Sequence, residues 1–514
     1  MMYRCNLLLV AVTLTLTMAG SDGKTVVFLP PPLASYFMYH TNIAGALAAL
    51  GHDVHLCVPH YLLHRNLVQD KSVKVLEYGE RLGDVLANAM KTSNLFDKFW
   101  AGENQHSAST MFIAAAMFGK VTTEILSDQL FVEKIRSLKP DLLVLDSIPF
   151  NMNLIALPYK LDIPYALVGT LHDVVLSKVP YSPATPTFLV PTSMTFFNRM
   201  QHFLWYVAHI NFDLFYDSTC VSRFAPNKPY KSINDLASNA EVFIIELDHI
   251  LDYPRPMLPN TKLIGGSSPS LAKPLAKEFQ KFVNESDNGI IVMTFGSSVV
   301  NLPPYFTSKM ISAFKQLDLR VVWRVNLTSP DPKQILTSTW IPQNDLLGHE
   351  KAKLFVSHCG KNGQYEALYH GVPILCMPIF GDQFYNAERV SIKELGLRVD
   401  MRHASANQLA DMMKEIIYNG KYAQNMKKAS RLFRELYKDP KHEAAYWLDH
   451  VMKYGGDYMR SPGQQMPWYQ LYALDVIAFL LTGLLVFALV IYAIIKQCLK
   501  CCGFHQQKPK AKTD

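Results

Sequence analysis

Cysteine is scarce. There are eight in 514 residues, with Cys5 near the N-terminus and Cys498, Cys501 and Cys502 near the C-terminus. The other four, Cys57, Cys220, Cys359 and Cys376, are too few and too scattered for a disulfide framework. No C-x-x-C pair has a matching set of His or Cys, so structural zinc is not expected. A strong charge excess is also missing. The net charge is +7, and Arg4 with five lysines from Lys496 onward carries most of it. That leaves no basic footprint for nucleic acid. Charged residues make up only 18% against 49% apolar, a globular composition with surplus apolar content that directs attention to membrane segments. The length exceeds what one core usually supports, so two domains are expected.

Long apolar runs are limited to two. Residues 1–20 read as a secretory signal: Arg4 supplies the positive end, Leu7 to Met18 the short apolar stretch, and Ala19-Gly20-Ser21 the small residues for cleavage. The second run, Val476 to Ile495, carries no charge and is long enough to cross a hydrocarbon core of about 30 Å as a helix. Trp468, Tyr469 and Tyr472 precede it as interfacial anchors, and Lys496 and Lys500 follow. The positive-inside rule puts residues 496–514 in the cytosol and the bulk of the chain in the lumen, a single-pass type I arrangement. Lys510 and Lys512, fifth and third from the end, resemble a dilysine retrieval signal, which makes the endoplasmic reticulum membrane the expected location. Asn284-Glu-Ser286 and Asn326-Leu-Thr328 are glycosylation sequons open to a lumenal chain.

Between these runs an α/β pattern occurs twice. Thr25 to Leu29 reads as a strand, Pro30 to Pro32 as a turn, Tyr36 to Leu50 as a helix closed by Gly51, and Val54 to Val58 as the next strand, a βαβ opening with a parallel sheet. Asp141 to Asp146 and Ile163 to Val168 are further strands. The stretch from His172 to Tyr216 breaks the pattern with Pro180, Pro183, Pro186 and Pro191, then Phe196, Phe197, Phe203, Trp205 and Tyr206. It reads as a lid or binding surface, or as a helix packed on the domain. Pro, Gly and Ser from Pro254 to Pro274 mark the start of a linker. The second unit begins at Gly289 to Phe295, with strands at Leu319 to Val325, Ala352 to Ser357 and Pro373 to Met377, and a helical stretch from Ser405 to Tyr454.

The segment Trp340 to Val390 carries the chemistry. A strand ends at Ser357-His358, and the loop Cys359-Gly360-Lys361-Asn362-Gly363 leads to a helix expected from Gln364. Strand end, Gly-containing loop and helix start together make an anion site, since free backbone N–H groups and the helix dipole face the ligand. His358 and Asn362 can add donors toward a diphosphate. Glu366, expected on the first helical turn, can accept hydrogen bonds from a ribose diol. Asp382 and Gln383 follow the next strand and suit sugar hydroxyls, and Trp340 offers a flat face to a base.

These residues resemble the signature of the UDP-glycosyltransferase family: Trp-x-Pro-Gln at Trp340 to Gln343, His-x-Gly-x-Asn-Gly at His358 to Gly363, Glu366-Ala367, Gly371-Val372-Pro373, and Asp-Gln-x-x-Asn-Ala at Asp382 to Ala387. Pro254-Arg255-Pro256, Ile264-Gly265-Gly266 and Phe295-Gly296-Ser297 are similar to further family segments, as is the membrane-bound animal arrangement with one C-terminal span. The resemblance implies a GT-B fold, with two Rossmann-like domains facing a cleft and a C-terminal transmembrane helix. Residues 21–265 would hold the acceptor, 266–285 the linker and 286–460 the UDP-sugar, with the span at 476–495. It further implies that Trp340 stacks on uracil, Gln343 touches the nucleoside and Arg324 lies near uracil or phosphate. Ser297, His358, Gly360, Asn362 and Gly363 would bind the diphosphate, Glu366 the ribose, and Asp382 and Gln383 the sugar. No Asp-x-Asp motif is present, so neither metal nor other cofactor is expected. Expected partners are the UDP-sugar, a small lipophilic acceptor or a membrane lipid, and the bilayer, with a homo-oligomer left open.

The family's mechanism is an inverting displacement in which a His, held by an Asp, takes the acceptor proton. Asp146 matches the Asp. Counting back from Gly51-His52 puts Tyr36, not His, at the base position, and a phenol with pKa of about 10 is a poor proton acceptor at neutral pH. Three alternatives follow. His40, one turn deeper on the same helical face, serves as base. Asp146 acts directly or through water. Or the acceptor is an amine that needs no base before attack. A UDP-sugar-binding protein with impaired catalysis is the competing expectation.

Overall fold

Alternation within the first unit's strands decides its layers. Val26, Phe28, Leu142, Val144, Ala166 and Val168 are buried on one face of a sheet, and Val27, Leu29, Leu143, Leu145 and Leu167 on the other. Strands apolar on both faces are what a parallel sheet covered by helices requires. A computed structural model describes residues 23–501 apart from 94, 103–107, 183–194, 213 and 298. The expected signal at 1–20, Pro183, Pro186, Pro191, Ser298, Cys502 and the tail lysines Lys508, Lys510 and Lys512 lie outside the described residues.

The first sheet contains β1 (Thr25–Leu29), β2 (Asp53–Pro59), β3 (Lys74–Tyr78), β4 (Leu142–Asp146), β5 (Tyr165–Gly169), β6 (Phe243–Ile245) and β7 (Thr261–Leu263) in the order β3-β2-β1-β4-β5-β6-β7. The second contains β8 (Ile290–Thr294), β9 (Arg320–Arg324), β10 (Ile335–Ser338), β11 (Ala352–Ser357), β12 (Ile374–Cys376) and β13 (Gly396–Arg398) in the order β10-β9-β8-β11-β12-β13. Every described pairing is parallel. Strand order reverses between β1 and β4 and again between β8 and β11. In open parallel sheets ligands bind beyond the carboxyl ends of strands at such reversals. Asp146 ends β4 and His358 follows β11, so each sheet puts a candidate residue at its reversal point.

The helices on which the site depends are labelled α1 (Ala34–Ala48), α2 (Phe196–Asn211), α3 (Lys361–His370), α4 (Gln383–Ile392), α5 (Pro440–Tyr454) and α6 (Leu474–Cys501). The helical stretch foreseen from Ser405 is divided into Ala406–Tyr418, Gly420–Leu436 and α5. The position of α5 is the main departure from chain order, which groups it with the second sheet. Its buried Ala444, Ala445, Leu448 and Val451 instead pack on the first sheet, in the same cluster as Phe37, Ile43 and Leu47 of α1. A polar clasp reinforces this: Lys24 N–H donates to His52 Nδ1 at 3.2 Å, and His52 Nε2 lies 3.0 Å from Asp449 Oδ1.

Both sheets belong to one compact body ending at Ser461, and residues from Pro462 onward form a second. In the second body α6 has 28 residues, and it is the one helix among the described residues long and apolar enough to cross a membrane. At 1.5 Å per residue it spans about 42 Å, more than a hydrocarbon core of about 30 Å.

Leu448 is fully buried. Leu448→Ala should therefore cost about 2–5 kcal/mol of stability, read as a lowered denaturation midpoint. An unchanged midpoint would show that α5 does not contribute to the first core.

Candidate active site

The second sheet supplies the anion-binding corner. Beyond β11 the chain turns through Cys359, whose φ is +63°, and α3 starts at Lys361 with Gly360 at its N-cap. The helix thus begins three residues before the expected Gln364, because the turn is completed by Cys359 and Gly360 alone. Glu366 accordingly sits in the second turn of α3, not the first. Room for the His358 ring depends on two glycines. A Cβ on Gly296, whose φ is +80°, would come within 2.9 Å of the ring, and one on Gly360 within 2.5 Å. Burial pushes the His358 imidazole down to about 4, so at neutral pH it is an uncharged donor or acceptor.

The loop is tied to the next strand by a bond absent from the sequence expectation. Cys359 and Cys376 form a disulfide across 17 residues, with Cα atoms 5.5 Å apart. The physical reason is the sheet itself: β11 and β12 are neighbours, and Ser357 lies opposite Cys376 in register. Asn386 makes a second tie, donating from Nδ2 to Cys359 O at 3.0 Å and to Asp382 Oδ2 at 2.7 Å. Gln383 is buried, and its Oε1 accepts from Ile379 N–H at 2.8 Å and Phe380 N–H at 3.1 Å. Burial raises the Asp382 carboxyl above the ordinary range, and the Asn386 bond works against that rise.

The expected nucleoside residues lie on the same side. Gln343 Nε2 donates to Glu366 Oε2 at 2.6 Å. Burial pushes the Glu366 carboxyl up to about 7. A Cβ on Gly363 would meet the Phe355 ring at 3.2 Å and Gln343 Nε2 at 3.3 Å, so this glycine lets α3 pack closely there. Trp340 is 63% exposed, an open face on which a base can stack. Arg324 Nε donates to Thr339 O at 3.0 Å, and the Ser297 carbonyl accepts from Arg65 Nη2 at 3.4 Å. Asn362 is engaged by its surroundings: it donates to Ser35 O at 3.3 Å on the first domain and accepts from Ser268 Oγ at 3.0 Å. The sequon residues Asn284 and Asn326 are both exposed.

On the first sheet, Asp146 is buried. Its Oδ1 accepts from Ile148 N–H at 2.8 Å, its Oδ2 accepts from the Tyr39 hydroxyl, and His40 Nε2 lies 3.1 Å from Oδ2. The structure therefore brings His40 to Asp146, and Tyr39, which the sequence did not single out, joins them. His40 is fully buried, with the rings of Phe28 and Tyr39 against it. Tyr36 is half-buried. Burial, then the charges of Asp146 and Asp382, hold its phenol well above the usual range, so at neutral pH it keeps its proton and does not remove one from another group.

A cavity of about 90 Å³ connects the two domains. Apolar and aromatic side chains such as Val174, Trp205, Tyr206, Phe215 and Leu247 line one end, and Asp382, Tyr385 and Asn386 the other. The aromatic stretch foreseen as a lid or packed helix is thus a wall of this cavity, formed by α2. Beside Asp382 is a charged cluster that the sequence reading missed. Asp252 contacts Arg255 Nη2 at 3.3 Å, Lys361 Nζ at 2.6 Å and the Arg389 guanidinium. Although burial opposes ionisation, the three cations hold its carboxyl far below the usual range. Arg255 within Pro254-Arg255-Pro256 and Lys361 within the Gly loop were visible signals, but Lys361 and Arg389 lie far along the chain from Asp252, the carboxylate they share with Arg255. Among the described residues no group of three His, Cys, Asp or Glu side chains is placed to hold a metal.

Two parallel sheets, each with its candidate residue at the reversal point, and a cavity lined from both, are the architecture of a two-domain glycosyltransferase fold. Solved structures agree on the fold. A UDP-glucosyltransferase from Polygonum tinctorium superposes with TM-score 0.57 at 16% identity, covering 84% of this chain and 99% of that one. A calicheamicin glycosyltransferase gives 0.56 at 15% identity, covering 84% and 100%. Residues 25–512 match the family described as UDP-glucoronosyl and UDP-glucosyl transferase, and the chain belongs to this family of UDP-glycosyltransferases. UDP-glucuronosyltransferase 2B33 of Macaca mulatta is 32% identical, covering 96% of each chain, and UDP-glucuronosyltransferase 1A8 of Rattus norvegicus is 29% identical, covering 92% of each.

Two outcomes test this geometry. Asp252→Asn removes the counter-charge of three buried cations and should destabilise the protein by about 3–5 kcal/mol in denaturant titration. Glu366 is raised in the folded state from 4.5 to about 7. Its contribution to stability is therefore complete below about 4.5 and is lost as pH rises through about 7. Melting temperatures should show the wild type losing ground to Glu366→Gln between pH 5 and pH 7.5, roughly the window of that shift. Parallel profiles would contradict it.

Proposed function

We propose that the enzyme transfers a hexose with inversion from a UDP-sugar to a small lipophilic acceptor, and that the preferred sugar is glucuronic acid. The observation that carries this is the position of Asp382: one cavity joins it to Lys361 of its own domain and to Arg255 and an aromatic acceptor wall on the first domain. The Arg255 Nε is buried without a protein partner, and the cations of Arg255, Lys361 and Arg389 gather at Asp252 beside the sugar wall. A uronate carboxylate suits that charge, whereas a neutral hexose does not use it. The names of the relatives point the same way.

In this reading Trp340 stacks on uracil, with Gln343 and Arg324 beside the nucleoside. Glu366 accepts from the ribose hydroxyls. The free N–H groups opening α3, with Ser297, His358, Gly360, Asn362 and Gly363, hold the diphosphate without a metal. Asp382 and Gln383 orient the sugar. Asp146, pinned by Tyr39 and His40, stands near the acceptor entrance, and Tyr36 donates a hydrogen bond there. The catalytic body lies in the lumen of the endoplasmic reticulum, glycosylated at Asn284 and Asn326 and anchored by α6. A second reading, donor binding with impaired catalysis, is favoured by the raised phenol of Tyr36 at the position where the family carries His.

A donor screen in membranes separates these readings. UDP-glucuronic acid should be turned over faster than UDP-glucose or UDP-galactose, and Asp382→Ala should lower kcat/KM by about 10²-fold or more. Faster turnover of UDP-glucose would refute the uronate preference. Turnover gained only on Tyr36→His would establish the binding-protein reading.

A further inference from the structure

The acceptor cavity contains acid–base machinery that the donor site does not use. The buried side of α2 brings His202, Tyr206 and His209 to its wall, and the chain after β5 brings His172 and Asp173. His209 Nε2 lies 2.9 Å from Asp173 Oδ2, with side chains only 7% and 11% exposed. The other carboxylate oxygen of Asp173 accepts from Val175 N–H at 2.8 Å and Leu176 N–H at 3.3 Å, which fixes its orientation. Burial alone would raise this carboxyl. His209 and the two N–H groups outweigh it, so Asp173 stays ionised. With Asp173 accepting the Nε2 proton, Nδ1 of His209 carries the lone pair, and this buried atom has no protein partner. Phe215, with its ring 4.9 Å from the imidazole, packs against the ring.

The other bases in reach fit the task less well. The Tyr36 phenol is held protonated, and His40 is enclosed on all sides behind Tyr39. His172 shares the cavity, but burial, then Arg255, pushes it down to about 4, too weak to take a proton from a hydroxyl. His202, Tyr206, Tyr385, Asp252, Arg255, Lys361 and Asp382 are the remaining titratable groups on the walls. An imidazole held by a carboxylate, with its second nitrogen free, is the arrangement that general-base catalysis of oxygen nucleophiles requires.

We infer that His209 is the general base of the transfer and that Asp173 is its positioning residue, taking over the role vacated where the family carries His and this chain carries Tyr36. The acceptor is then a hydroxyl compound bound along the aromatic wall. As its oxygen forms the bond to the anomeric carbon, its proton passes to Nδ1 of His209. The bond from the anomeric carbon to the β-phosphate oxygen breaks, and its electron pair leaves with UDP. Asp173 stabilises the imidazolium until the proton is released to solvent. This inference rests on the donor site proposed above.

The test uses the full-length protein in membranes with its best UDP-sugar and a simple aliphatic alcohol as acceptor. UDP affinity, measured separately, reports on the donor site. His209→Gln should lower kcat by about 10²–10⁴-fold with UDP affinity unchanged, and Asp173→Asn should lower kcat in the same sense without weakening UDP. Added imidazole should restore turnover to His209→Gly, a result that loss of structure cannot give. Undiminished kcat in His209→Gln, or failure of imidazole to restore His209→Gly, overturns the assignment. Failure of the wild type to bind UDP removes the donor-site reading instead, and with it the basis of this one.

Discussion

One buried carboxylate joins the two halves of the site. Asp252 follows β6 in the first domain, yet its cationic partners Lys361 and Arg389 belong to α3 and α4 of the second. Burying a charge is costly unless it is paired, so this cluster strongly constrains how the domains meet. Lys361 is the first residue of α3, so the carboxylate also fixes where the anion-binding helix begins. Arg389 in turn bonds Asn386, which holds both the Cys359 carbonyl and Asp382. The Gly loop before α3 and the wall around Asp382 are thereby referred to the same fixed point.

What could be read in the sequence were local, repeating features. Strands such as Thr25–Leu29 and Ala352–Ser357 were legible because nearly continuous apolar runs belong to parallel sheets covered on both faces. The donor motif was legible because a strand end, a Gly loop and a helix start follow one another without interruption. Features made by residues far apart were not legible. The Cys359–Cys376 bond depends on two strands being neighbours, which spacing alone does not announce. The pairs Asp173–His209 and Asp252–Lys361 depend on loops whose course is set only by the finished sheets. The start of α3 was misplaced by three residues because Cys359 takes a positive φ, a conformation for which a non-glycine residue gives no signal.

The first βα turn departs from the pattern that the resemblance implies. Tyr36 stands where that pattern implies a His, and Tyr39 and His40, three and four residues on in α1, take the Asp146 carboxylate. The carboxylate is thus satisfied from within the domain. Proton acceptance is then sought elsewhere, on the cavity wall.

The return of α5 to the first domain has a consequence for how the protein is made. A core that stands open until Leu448 and Val451 arrive cannot close while the ribosome is still translating the second half. The first domain waits, partly uncovered, for the last segment of the body that ends at Ser461. Assembly of the two domains is therefore completed together rather than one after the other, and any severed N-terminal fragment would keep a greasy flank for chaperones to shield.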